Sequence, residues 1–356
     1  MLIAVTACLA MAAAAALLLH PRVRGSDYWR AMATPLASII GSGFLVSVPL
    51  MRELAGNWAI AAMALLLVLT WLIGAAIRFN IAHVEPLAGD GRAPKDIAAL
   101  EWLSHAVLAF AYFVSVAYYL VLFASFLLKG AGVDSLFLVK AIVTVILAAI
   151  GALGWLRGFR GVERVEIYAV TLKLAVIAGM IGALLVFDAG RLAGGLALAD
   201  LAPRTDLKGL QMLMGLLIIV QGFETSRFLG QTYSAELRIR TMKAAQLAAG
   251  AIYLVFIACM LPLFAVDAGS DGVAAIVDML GPVSALLPPI VIVGALASQS
   301  SAAIADSNGA AGLIHDISGR RIAVGQTYPL IALIAALVTW ETDVFGLITF
   351  ASRCFA

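Results

Sequence analysis

Two clusters of small and polar residues interrupt long apolar stretches of this sequence. The first is Gly41-Ser42-Gly43 in IIGSGFLVSVP, and the second is Gln221-Gly222-Phe223-Glu224 in VQGFETSR. Glycine and serine are poor helix formers, and polar groups deep in a membrane usually face a water-filled site. The amides of a broken helix favour an anion, because they point their partial positive charge into the cavity. The two clusters therefore indicate a binding site for a small solute. Taken alone, the first is better explained by close helix packing.

The two clusters occupy corresponding positions of two similar halves. Gly41 and Gly222 are 181 residues apart, and the same offset carries Glu163, which begins one apolar stretch, onto position 344, which begins the last. Five spans in 28–187 are thus followed by five in 207–356. Because five is odd, the second set is inverted in the membrane. Paired broken helices in inverted repeats are the best sequence indication of a transporter's binding site.

The composition predicts an all-α polytopic membrane protein. Of 356 residues, 63% are hydrophobic and 12% charged, and the mean hydropathy is +1.04. Eleven apolar segments are predicted as transmembrane helices, the first of them an extra span in the N-terminal segment 1–27. The segments are 2–19, 29–54, 58–82, 99–128, 136–154, 163–187, 209–232, 244–266, 283–314, 324–339 and 344–356.

Lysine and arginine alternate between the predicted loops. Fifteen lie in one set of loops and five in the alternate set. The richer side is expected to be cytoplasmic, so the span 29–54 runs from inside to outside. We place the protein in a bacterial-type inner (plasma) membrane, as a multi-pass protein in contact with the lipid bilayer.

Both clusters resemble helices of the amino acid–polyamine–organocation (APC) superfamily. IIGSGFLVSVP resembles its unwound first helix, and VQGFETSRFLGQTYSAELRIRTMKAAQ resembles its sixth helix with the charged cytoplasmic loop that follows. The resemblance covers about residues 28–356. It implies two inverted five-helix repeats with discontinuous first helices, the leucine-transporter-like fold.

The resemblance also implies a substrate site. In the family, exposed backbone at the first break receives the substrate carboxylate, and the second break contacts the amine and the substrate side chain. Glycine at position 43 would let an anion approach without a Cβ in the way. Glu224 is expected either to gate or relay protons, or to cap the inner half-helix. The positions carried over are Ile40, Gly41, Ser42, Gly43, Gln221, Gly222, Phe223 and Glu224.

A pair of serines has two interpretations, of which one is a binding site for a coupling sodium ion. Sodium-coupled relatives hold the ion between carbonyls of the first helix and two hydroxyls of the eighth. Here Ser300 and Ser301 stand at the matching place, with the carbonyls of Ala37, Ile40 and Ala297 as partners. The other interpretation is that both serines bond back to their own helix.

Lys173 argues against sodium. It lies ten residues into the span 163–187, roughly 15 Å along a helix that rises about 1.5 Å per residue. It resembles a lysine in the fifth helix of sodium-independent family members, whose ammonium occupies the sodium position. A buried ammonium is costly unless it has partners, so the protonation of Lys173 can follow the transport cycle. We therefore favour proton coupling or exchange.

The sequence thus predicts a secondary active transporter of amino acids or related small amines. Its partners would be the solute and a proton or counter-substrate, with no cofactor, no metal and no nucleic acid. The sequence contains no Walker motif, catalytic triad or zinc-ligand spacing, so it supports neither an ATP-driven pump nor an enzyme. The alternatives are a potassium transporter of the same fold and a non-transporting membrane receptor or sensor.

The last segment, 344–356, is shorter than a full span. It has thirteen residues where about 20 are needed to cross a bilayer. We therefore expect the chain to be truncated, or to be poorly stable alone.

Overall fold

The described residues are mainly helical, and two of the central helices are broken. The computed structural model describes residues 1–41, 43–89, 94–157, 162–192, 198–266, 274–319, 321–342 and 346, and within these ranges it contains no strand. The α-helices are α1 (Leu2–Leu19), α2 (Pro21–Arg24), α3 (Asp27–Ile39), α4 (Gly43–Ala55), α5 (Ala59–Phe79), α6 (Glu85–Gly89), α7 (Lys95–Gly130), α8 (Leu136–Arg157), α9 (Val162–Leu192), α10 (Leu207–Gly215), α11 (Leu217–Val220), α12 (Ala235–Met260), α13 (Ile276–Leu280), α14 (Leu287–Ile317) and α15 (Val324–Glu341).

Nine helical segments of the described residues are long and apolar enough to cross a membrane. One of them runs over residues 27–87 and contains two of the predicted spans. Ten predicted spans therefore coincide with helix. The eleventh, 344–356, lies outside the described residues apart from Gly346.

α12 begins nine residues before the span that was predicted to start at residue 244. The Ser234 hydroxyl accepts a hydrogen bond from the Leu237 N–H at 3.3 Å, and Glu236 lies in the first turn. A serine cap and an acidic first turn both stabilise a helix start. The charged segment at 235–243, expected to be a loop, is therefore helical.

The long helices form two groups around the breaks. The core bundle comprises α3, α4, α5, α10, α11 and α12 with the 3₁₀ segment Phe223–Gln231, and the scaffold comprises α7, α8, α14 and α15. The most extensive helix–helix contact joins α7 and α14 within the scaffold. α9 contacts α3 and α12 of the core bundle and α14 of the scaffold, so it lies between the groups.

Aromatic packing ties α4 to α12 inside the core bundle. The Phe44 ring stacks on Phe256 with centroids 4.3 Å apart and meets Tyr253 edge-on at 5.4 Å. All three side chains are almost completely buried. Stacked and edge-on aromatic pairs add about 0.5–1.5 kcal/mol beyond area burial, so they anchor the outer half of the first broken helix.

The N-terminal helix α1 packs along α9. A Cβ added at Gly179 would overlap the Met11 side chain and lie 3.1 Å from the Ala7 carbonyl oxygen, and one added at Gly182 would lie 3.2 Å from Ala10 Cβ. Small residues allow membrane helices to approach this closely. α1 therefore covers one face of the helix that carries Lys173.

Replacing Gly179 with leucine should separate α1 from α9. Overpacking a close contact costs about 1–3 kcal/mol, so we expect Gly179→Leu to unfold at a lower temperature in detergent. Gly190→Leu is the matched control, because Gly190 lies on the same helix with nothing within 4 Å of its added Cβ. Equal melting temperatures for the two variants would contradict the packing.

Candidate substrate and coupling site

The first helix break follows Ile39, where α3 ends, and α4 begins at Gly43. Ile40 leaves helical geometry with φ −85° and ψ 28°, and both Ile40 and Gly41 are buried. Ser42, the central residue of the predicted motif, lies outside the described residues. The interruption predicted in the middle of this span is therefore present.

The second break lies at Gln221 and Gly222, as predicted. α11 ends at Val220, Gln221 is extended, and Gly222 has a φ of +114°, which favours glycine. A Cβ on Gly222 would lie 2.6 Å from Ser38 Cβ. The second break is therefore pressed directly against α3.

Side chains satisfy the backbone exposed at the second break. The Gly222 N–H donates to Glu224 Oε2 at 2.8 Å, and the Thr225 hydroxyl donates to the Gly222 carbonyl at 2.7 Å. Glu224 is buried, with 9% of its surface exposed. Glu224 was expected either to gate or relay protons or to cap the inner half-helix. The hydrogen bond from the Gly222 N–H fits the capping role.

Gly43 faces Ile219 of α11 rather than open space. A Cβ added there would lie 2.6 Å from Ile219 Cα and 2.7 Å from its Cγ2. Gly43 was expected to leave room for an anion. In the direction of the missing Cβ there is no such room, because the two broken helices cross there at close range. The glycine allows their contact.

Tyr253 of α12 connects the two breaks, and sequence reasoning missed it. Its hydroxyl lies 3.0 Å from the Ile39 carbonyl oxygen and 2.5 Å from that of Ile219. The side chain is completely buried. One phenol therefore serves carbonyls at the ends of both interrupted helices.

Lys173 lies where α9 meets the first break. It is 5% exposed, and its Nζ is 3.5 Å from the Ala37 carbonyl oxygen. A small cavity beside it is lined by Ile40 and Gly41 of the break and by Gly294 and Ser298 of α14. The structure thus brings Lys173 to a carbonyl of the proposed sodium set.

Ser300 and Ser301 donate to their own helix in this structure. The Ser300 hydroxyl donates to the carbonyls of Leu296 at 2.8 Å and Ala297 at 3.2 Å, and that of Ser301 to Ser298 at 3.4 Å. This is the helix-bonded alternative. The hydroxyl that lines the cavity beside Lys173 belongs to Ser298, which sequence reasoning did not select.

Asp306 of α14 is a further buried carboxyl group that sequence reasoning missed. It is 6% exposed and accepts a hydrogen bond from the Ser115 hydroxyl of α7. Lys173 and Glu224 lie within electrostatic range of it. The available signal was the depth of an acidic residue in an apolar span, which by default marks a functional site.

Two larger cavities adjoin this region. A crevice of about 400 Å³ lies between α5 and α7 and reaches Gln221, Phe223 and Glu224. A more polar cavity of about 340 Å³ lies on the predicted cytoplasmic side. Its walls include Glu85, Glu101, His105, Arg227, Phe228, Asn308, Gly309 and Asp316.

Ion pairs link several elements around the second broken helix on the predicted cytoplasmic side. Arg238 Nη2 lies 2.7 Å from Glu85 Oε2, and Arg227 Nη2 lies 2.7 Å from Glu101 Oε1. Arg238 is buried and also donates to the Arg227 carbonyl at 3.2 Å. These contacts join α6, α7 and α12 to the 3₁₀ segment.

A family model described as an APC superfamily transporter matches residues 21–356. The chain belongs to the APC superfamily. This APC transporter is 37% identical over 342 residues to an uncharacterized protein of Aquifex aeolicus (strain VF5), across 95% of this chain and 83% of that protein. α1 precedes the residues matched by the family model.

The fold of this APC transporter is similar to that of a solved Na⁺-coupled sialic acid symporter, which is in a substrate-bound outward-open state. The TM-score is 0.50 at 13% identity, and the match covers 99% of this chain and 82% of the symporter. At this identity the likeness establishes the fold. The predicted inverted-repeat architecture with discontinuous first helices is confirmed.

Removing the Tyr253 hydroxyl should destabilise the junction of the two breaks. Tyr253→Phe keeps the aromatic packing on Phe44 but leaves buried carbonyls without their donor, at a cost of about 1–2 kcal/mol. We expect a lower melting temperature in detergent than for Tyr28→Phe, a control at an exposed position. Unchanged melting of Tyr253→Phe would contradict the role of this hydrogen bond.

Proposed function

We propose that this APC transporter moves amino acids or related small amines across a bacterial-type inner membrane by alternating access. We further propose coupling to protons or to a counter-substrate rather than to sodium. The observation that carries the coupling proposal is the position of Lys173 Nζ, 3.5 Å from the Ala37 carbonyl oxygen at the first break.

An ammonium group in this position opposes sodium binding. Two unit positive charges about 4 Å apart repel each other by about 4 kcal/mol at an effective dielectric constant of about 20. That energy corresponds to about a thousandfold in a binding constant. Ser300 and Ser301 donate to their own helix, which further favours the lysine as the resident cation.

The two breaks provide complementary groups for an amino acid. In this proposal the backbone of Ile40, Gly41 and Ser42 receives the carboxylate, with Gly43 holding the break against α11. The backbone at Gln221, Gly222 and Phe223 contacts the amine and the substrate side chain. Glu224 then acts by holding the Gly222 N–H, because its carboxylate already accepts that hydrogen bond.

A monovalent cation is the second candidate substrate. Glu224 and Asp306 are both buried near the breaks, and Lys173 is the one buried cation within electrostatic range of Asp306 among the described residues. Either carboxyl group, when ionised, would favour entry of a cation. This arrangement would suit potassium as well as a protonated amine.

Uptake into proteoliposomes separates the two substrates. Vesicles containing the full chain should accumulate radiolabelled amino acids from an equimolar mixture when the outside is made acidic, and should not accumulate rubidium. Rubidium uptake without amino acid uptake would replace the amino acid proposal with the cation one. Binding without uptake of either probe would favour a receptor.

Replacing Lys173 tests the coupling. In Lys173→Ala we expect uptake driven by the pH gradient to fall to the level seen without a gradient, while exchange of preloaded amino acids persists. Lys208→Ala is a control on the predicted external side. Strong stimulation of the wild type by sodium would overturn the assignment of Lys173 as the substitute cation.

A further inference from the structure

The structure assigns Asp306 as a proton-carrying group that exchanges its proton with the polar cavity on the predicted cytoplasmic side. Tyr112 is the side chain that separates Asp306 from that cavity. The link between this proton and solute movement rests on the proposed function, but proton binding by Asp306 does not.

Asp306 lies at the most extensive helix contact of the protein, between α14 and α7. It is 6% exposed, and the Ser115 hydroxyl donates to its Oδ2. An ionised carboxylate at such a depth is costly, and protonation removes most of that cost. A single hydrogen bond from serine offsets only part of it.

The charged and titratable groups that face Asp306 come from three elements. Tyr112 and Tyr119 approach from α7, Lys173 from α9, and Glu224 from the 3₁₀ segment. Glu224 repels the ionised form, whereas Lys173 attracts it. A movement that changes the distance to either group therefore changes how tightly Asp306 holds its proton.

A polar cavity lies one helical turn from Asp306. Gly309 lies three residues further along α14, on the same face of the helix, and it lines the polar cavity with Phe228. The Tyr112 ring packs on Gly309, where an added Cβ would lie 2.9 Å from Cε2, and is 6.4 Å from the Phe228 ring. Tyr112 thus contacts a residue that lines the cavity and lies within electrostatic range of the carboxyl group, as a side chain between the two would.

The chemical step is a reversible proton transfer. An O–H bond forms on the Asp306 carboxylate with a proton taken from water in the cavity, and the same bond breaks when the proton returns. The Ser115 hydroxyl donates to the ionised form. No oxidant, reductant or further reactant is needed.

Infrared difference spectroscopy of the full chain in vesicles tests proton binding directly. Lowering the pH should produce a carboxylic acid C=O band that Asp306→Asn removes and Asp306→Glu restores at a shifted position. Asp134→Asn, in an exposed loop, should keep the band. A band that persists in Asp306→Asn overturns the assignment, and so does one that is lost only in Glu224→Gln.

Proton leak into the same vesicles tests whether the Tyr112 ring separates Asp306 from the cavity. Tyr112→Ala should raise passive proton entry several-fold, as reported by a trapped pH-sensitive dye, and Tyr112→Phe should not. Adding Asp306→Asn to Tyr112→Ala should abolish the increase. A leak that is unchanged by the second substitution would overturn the route through Asp306.

Failure of the proposed function and failure of the proton assignment give different results. If the infrared band depends on Asp306 but a pH gradient drives no uptake of amino acids or rubidium, the proposed function fails and the proton site stands. If uptake is driven by the gradient and the infrared band persists in Asp306→Asn, the proposed function stands and the proton assignment fails.

Discussion

The structure depends on one constraint: main-chain N–H and C=O groups freed inside a bilayer must find partners there. Each break frees several such groups at once, and an unsatisfied one costs about 1–3 kcal/mol. Nearby polar side chains provide these partners. Glu224 accepts a hydrogen bond from the Gly222 N–H, and the Tyr253 hydroxyl lies against two carbonyl oxygens. Lys173 approaches a third carbonyl, that of Ala37. Several of the polar residues in this apolar interior are thus explained by where the helices stop.

The same constraint shapes how the two helix groups meet. Gly222 against Ser38 and Gly43 against Ile219 hold the broken helices of the core bundle together. The scaffold contributes Asp306 with its partner Ser115. Lys173 lies between the groups, on α9. A relative movement of the groups would change the electrostatic surroundings of both charges, and a ligand that prefers one arrangement would shift that equilibrium.

The breaks could be predicted because their causes are local. Glycine is a poor helix former and glutamate is costly inside an apolar span, and the 181-residue offset relates the two positions. The side chains that face the site depend on helix rotation and on partners distant in sequence. Ser298 and Ser300 differ by about 200° around their helix, so Ser298 lines the cavity while the hydroxyl of Ser300 returns to its own backbone. Tyr253 is separated from Ile39 by more than two hundred residues, so only the folded chain relates them.

The Tyr253 hydroxyl has one hydrogen for two acceptors. If the first and second broken helices move apart, the hydrogen can remain with either carbonyl, and the group left behind is an oxygen acceptor with two lone pairs. Buried acceptors tolerate partial satisfaction better than buried N–H donors do. For this hydroxyl, separation of the two helices therefore costs no more than one hydrogen bond. A tyrosine with a main-chain acceptor on each side thus keeps its hydrogen bonded whichever way the two helices move.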